Sequence, residues 1–172
     1  MICYHEFRPR IRSGDLIETA SDDGLSFCIR TVTGRRVSHS AMALRIPGWN
    51  LDDDLFVMEA WWPGGLRTRR LSVLVADSDE VIWYPCVAQA EETIKAVGWM
   101  LAHVGVGSDF IGAARAGFGM ADPDDSDLFC SEAIAMAFRH AGTIPVLKKA
   151  PAPGGFGQFK IFAPKGIVLK QY

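Results

Sequence analysis

DDSDLFCSEAIAMAFRHAG, residues 124–142, changes character at one cysteine. Before Cys130 the chain is acidic and turn-prone. After it, Ala133, Ile134, Ala137, Phe138 and Ala141 recur at helical spacing until Gly142. The spacing predicts a helix from about 129 to 141 with Cys130 in its first turn. The first N–H groups of a helix lack partners and carry a partial positive charge. A thiol held there loses its proton more easily, and those N–H groups can face an oxyanion formed by sulfur attack on a carbonyl. A buried structural cysteine is the plainer alternative, so the rest of the chain must decide.

The 172 residues suffice for one domain with a real core. Half the residues are apolar and the net charge is −2, which excludes a disordered acidic chain and an overall basic nucleic-acid binder. The clusters Arg35-Arg36, Arg67 to Arg70 and Lys148-Lys149 read as solvated faces. Cys3, Cys28, Cys86 and Cys130 show no CxxC pairing, against a zinc ribbon. MICYHEFRPRIR lacks the apolar core of a secretory signal, so reduced thiols in a cytoplasmic or phage-borne protein are expected. No run approaches the ~20 apolar residues of a spanning helix.

Upstream, GDLIET (14–19) reads as a strand. Ser21-Asp22-Asp23 offers helix caps, and Leu25, Cys28, Ile29 and Val32 follow as an apolar stripe, which places Cys28 in the core. VSHSAMALRI (37–46) alternates as a strand, with WNLDDD connecting it to a second strand, LFVMEAWW (55–62), broken by PGG. The type of LRTRRLSVLVA stays open. VIWYPCV (81–87) is a strand whose Pro85 marks an edge or an end. QAEETIKAVGWMLAHVG carries apolar residues at 90, 94, 97 and 101, a helix of about four turns. Residues 104–123 form an irregular connection rich in glycine and alanine, and the tail adds one or two strands. Strands in the middle flanked by separate helices predict α+β with an antiparallel sheet.

A cysteine nucleophile needs a base. His140 shares the helix with Cys130, about 15 Å along it, and complements the helix end instead. His103 ends its own helix, and His5 lies in a mobile terminus. His39 is held in a strand between two serines with no local charge to account for it. Glu59 is a single carboxylate in an apolar strand, where burial without a partner is costly. If the two strands pair, it sits beside His39 and orients the imidazole.

GDLI, SHSAM, MEA and FCSE, in that order, resemble the circularly permuted branch of the NlpC-type papain-like superfamily, to which the lecithin:retinol acyltransferase group is related. The histidine precedes the cysteine, the reverse of the ordinary papain-like order. The resemblance covers Gly14 to about Gly142 and implies a catalytic triad: Cys130 as nucleophile, His39 as general base and Glu59 as the orienting acid. It implies that the His39 sheet packs on the Cys130 helix, and gives Glu132 and Asp109 structural roles. The implied activity is amide hydrolysis on a peptide or peptidoglycan stem peptide, as a cysteine peptidase or amidase, with no cofactor or metal. Hydrolysis or transfer of a lipid acyl group on the same site, and a non-catalytic or virion-associated papain-like domain, are the alternatives. Trp61, Trp62, Phe110 and Phe118 are the aromatics available to an acyl substrate. A Cys/His/Glu zinc site is a further rival.

Overall fold

The computed structural model describes residues 4–47, 54–61, 65–105, 129–145 and 151–171. The described residues form an α+β fold around a six-stranded antiparallel sheet of order β4-β3-β2-β1-β5-β6. The strands are β1 (Leu16–Ala20), β2 (His39–Arg45), β3 (Leu55–Trp61), β4 (Gly65–Arg70), β5 (Glu80–Tyr84) and β6 (Ile167–Gln171). The helices are α1 (Tyr4–Phe7), α2 (Gly24–Thr33), α3 (Leu71–Asp77), α4 (Ala90–Ala102) and α5 (Phe129–His140).

Both faces of the sheet are covered, which is why VSHSAMALRI alternates only loosely. Met42 and Leu44 join Leu16 and Met58 in one core, under α4 and α5. Ala41 and Ala43 join Ile17 and Val57 in the other, with Leu71 and Leu74 of α3 and Tyr4 of α1. α5 packs on β2, β3 and α4. From Cys130 to Phe138 every residue of α5 is buried, and Phe138 meets the Phe162 ring edge-on at 5.3 Å.

Asp15, from GDLI, is buried and fixes the centre of the sheet. It accepts the Trp83 indole N–H and the Cys86 backbone N–H, both at 2.8 Å, and the Arg12 N–H. LRTRRLSVLVA resolves into β4 followed by α3. Pro85 marks the end of β5, an interior strand flanked by β1 and β6.

Two apolar stripes fall elsewhere than expected. Asp23 caps α2 as anticipated, accepting the Ser26 N–H at 2.8 Å, and the helix ends at Gly34 with φ +65°. Yet Cys28 is exposed, not core, and Leu25 and Val32 are 66% and 84% accessible. Only Ser26 of α2 is buried, through its 2.6 Å bond to Ser38, so the helix meets the body by a hydroxyl contact and leaves its stripe outward. In α4 the buried positions are Ala96 and Met100, while Ile94 and Leu101 are exposed. Here the residues beneath α5 select the face. His5 belongs to the helical turn α1, its ring against that of Tyr4.

Candidate active site

β2 and β3 pair antiparallel with Ala43 opposite Val57. His39 lies four residues from Ala43 and Glu59 two from Val57, so both side chains stand on one face, as diagonal neighbours. The His39 Nε2–H donates to Glu59 Oε2 at 2.7 Å. Nδ1 is then the ring nitrogen left for the Cys130 sulfur, with which the imidazole is hydrogen-bonded. His39 opens β2, and the first turn of α5 arrives beside it, where the backbone N–H groups of Ser40 and Ser131 also donate to Cys130. Three residues from three elements, separated by up to 91 positions (130 − 39), thus meet in one chain of contacts.

Charge settles along that chain. Burial pushes the Cys130 thiol up, but the His39 charge and hydrogen bond, with the two N–H donors, outweigh it and hold the thiol below its ordinary value. Burial likewise pushes His39 down. The facing sulfur and the Glu59 bond and charge reverse this, lifting the imidazole from 6.5 to about 10. Glu59 is only 1% accessible. Burial raises its carboxyl, and His39, Arg67 and Arg69 more than compensate, leaving it lowered. The shifts of Cys130 and His39 thus run in the direction that favours a thiolate–imidazolium pair, with the Glu59 carboxylate behind it.

Arg67 is the member that sequence reasoning missed. It was read with Arg69 as part of a solvated basic face, but its Nε and Nη2 donate to Glu59 Oε1 at 2.9 and 2.8 Å. Arg69 approaches the same oxygen at 3.7 Å and also pairs with Asp77. The guanidinium of Arg67 lies over the Trp61 ring, 4.1 Å from its centroid. The signal was present in the hairpin. β3 and β4 pair antiparallel in a register that sets Glu59 directly opposite Arg67. β3 is therefore an interior strand, and Glu59 is no surface edge acid.

A groove of about 600 Å³ opens at His39 and Glu59, with Leu25, Ile29, Trp61 and Leu74 among its walls. Trp62, Phe110, Phe118, Asp109, Cys3, Lys148-Lys149 and the WNLDDD connection lie outside the described residues, wholly or for the most part. Glu132 is buried in the first turn of α5. His103 caps α4, its Nδ1–H donating to the Trp99 carbonyl at 2.6 Å, and exposed His140 ends α5. Cys28, Cys86 and Cys130 are free thiols. Among the described residues no group of three or more His, Cys, Asp or Glu is arranged to hold a metal ion, and no helix is long and apolar enough to cross a membrane.

No family model matches the chain, and no curated protein matches it. Among solved structures it resembles the crystal structure of metalloprotein yiiX from Escherichia coli O157:H7, a DUF1105 protein. The two are 15% identical, the likeness covers 94% of this chain and 98% of that one, and the TM-score is 0.66, so the chain shares that protein's fold.

Proposed function

We propose that the protein is a cysteine hydrolase of amide bonds, built on a circularly permuted papain-like domain, with Cys130 as nucleophile, His39 as general base and acid, and Glu59 orienting His39. The observation that carries this reading is the imidazole bridging a buried carboxylate and a helix-start thiol, each from a separate element. In the proposed cycle the Cys130 sulfur attacks the carbonyl carbon and the carbonyl pair moves to oxygen. Backbone N–H groups of the first turn of α5 face that oxyanion. As the C–N bond breaks, the His39 proton passes to the leaving nitrogen, giving a thioester and a free amine. Water then gives a proton to His39 and its oxygen to the acyl carbon. The C–S bond breaks, the acid departs and the thiolate–imidazolium pair returns.

The substrate in this reading is a peptide or a peptidoglycan stem peptide, met in the cytoplasm or delivered with a phage particle. Leu25, Ile29, Trp61 and Leu74, the apolar residues in an otherwise polar groove lining, are the observation behind one second reading, a lipid acyl ester or thioester as substrate. Two assays test the proposal. Iodoacetamide at neutral pH should alkylate Cys130 far faster than Cys86, and His39→Ala should abolish the difference; equal labelling refutes an activated pair. Turnover of peptidoglycan fragments against p-nitrophenyl acyl esters separates the two substrate classes. A Cys130 that is activated yet turns over neither class marks a binding domain. Stoichiometric zinc in the purified protein, lost on Cys130→Ser, would replace the hydrolase reading with a metal site.

A further inference from the structure

α2 carries Leu25, Cys28, Ile29 and Val32 at helical spacing, the pattern of a helix face that packs against something. Ile29 is half-buried beside the groove, and the other three are left open to solvent. Leu25 is 66% and Val32 84% accessible, and Cys28 is exposed. The charges flanking the stripe are sorted by end. Asp22 and Asp23 precede the helix, and Arg35 and Arg36 follow it. Asp22 and Arg35 are both exposed and in no salt bridge among the described residues, the Arg35 charge acting only at longer range on buried Glu18, whereas Arg36 is bound to Glu80 at 2.8 Å.

A face that is apolar in the middle, acidic at one end and basic at the other is complementary to itself turned around. We propose that α2 is the interface of a homodimer, a second copy of this chain docking its own α2 antiparallel across a two-fold axis. With the axis passing between Cys28 and Ile29, residues pair so that their numbers sum to one constant. Leu25 then meets the partner's Val32, Cys28 meets the partner's Ile29, and Asp22 meets the partner's Arg35. One stripe position and one charge position on each side fall into register together, which a membrane surface would not require. A lipid surface selects basic residues around the whole rim, and half of this rim is acidic. One ten-residue helix covers less than the ~800 Å² per partner of a standard interface, so the dimer is of the concentration-dependent kind. Leu25 and Ile29 also line the groove at His39, so the partner helix would wall its mouth.

Charge exchange tests the register. Sedimentation of the full chain over a concentration series should show a monomer–dimer equilibrium. Asp22→Arg and Arg35→Asp should each weaken dimerisation at least about tenfold, and the double reversal should restore most of it. Val32→Glu should give a monomer with an unchanged melting temperature, because that side chain supports no fold contact. A short bismaleimide should join Cys28 to the second copy and fail to do so in Cys28→Ser. The proposal is overturned by a wild-type chain that is monomeric throughout, by a double reversal no better than either single, or by an absent Cys28 cross-link. Monomers that bind phosphatidylglycerol vesicles through Val32 would overturn it in favour of a lipid surface.

Discussion

Replacing Glu59 by Gln isolates the charge behind His39. The amide keeps the size of the side chain and an oxygen for the Nε2–H, now 2.7 Å away, but removes the negative charge. A hydrogen bond to an ionised partner contributes about 1.5–3 kcal/mol and a neutral one about 0.5–1.5 kcal/mol. The difference between the midpoints of those ranges, about 1.2 kcal/mol, corresponds to about one unit in the affinity of the imidazole for its second proton. Arg67 and Arg69, no longer neutralised, act in the same direction. The imidazolium is therefore destabilised, and the titration midpoint of His39, which lies near 10 in the native protein, should fall by at least about one unit. Histidine NMR across the alkaline range measures this directly, with the His39 signal assigned among four histidines by comparison with His39→Ala. The same variant should lose the alkaline end of any hydrolytic pH profile, because the leaving group there depends on the His39 proton. A midpoint that stays or rises would refute the relay from Glu59.

Other perturbations read other parts of the molecule. Glu18 is buried, and desolvation lifts its carboxyl from 4.5 to about 7 against the Gly154 N–H, the Ser40 hydroxyl and the Arg35 charge. Its folded-state value exceeds the unfolded one, so its contribution to stability is full below about 4.5 and declines as pH rises through 7, by about 3 kcal/mol in all. Urea denaturation at pH 5 and pH 8 should show that decline in the native chain, and Glu18→Gln should remove it. Arg67→Ala should slow acylation of Cys130 by p-nitrophenyl acetate about tenfold by freeing Glu59, and Arg67→Lys should not rescue it, since an ammonium lacks the planar fork. Phe138→Ala empties a fully buried site against Phe162 and should lower unfolding free energy by about 3–5 kcal/mol.

The sequence made some of this legible and not the rest, for physical reasons. The junction at Cys130 was readable because helix starts leave local marks, an acidic turn and then 3.6-residue spacing. His39 and Glu59 stood out as polar residues in apolar strands, where burial demands a partner. Arg67 was missed because its partner lies across a hairpin, and a charge reads as solvated until the register is known. The stripe of α2 misled because periodicity says that a face is apolar, not what covers it. LRTRRLSVLVA stayed open because the change from β4 to α3 at Leu71 comes without a glycine or proline.

α5 is buried on every side from Cys130 to Phe138, and this constrains how the protein can diversify. A surface helix accepts substitution on its outward positions, so its history shows a periodic tolerance. From Cys130 to Phe138 there is no outward position to spend. Change in what the site recognises must therefore accumulate in its surroundings, in α2, in the β3–β4 hairpin and in the segments joining them. Cys130 stays on a fixed post while the walls around it are rewritten.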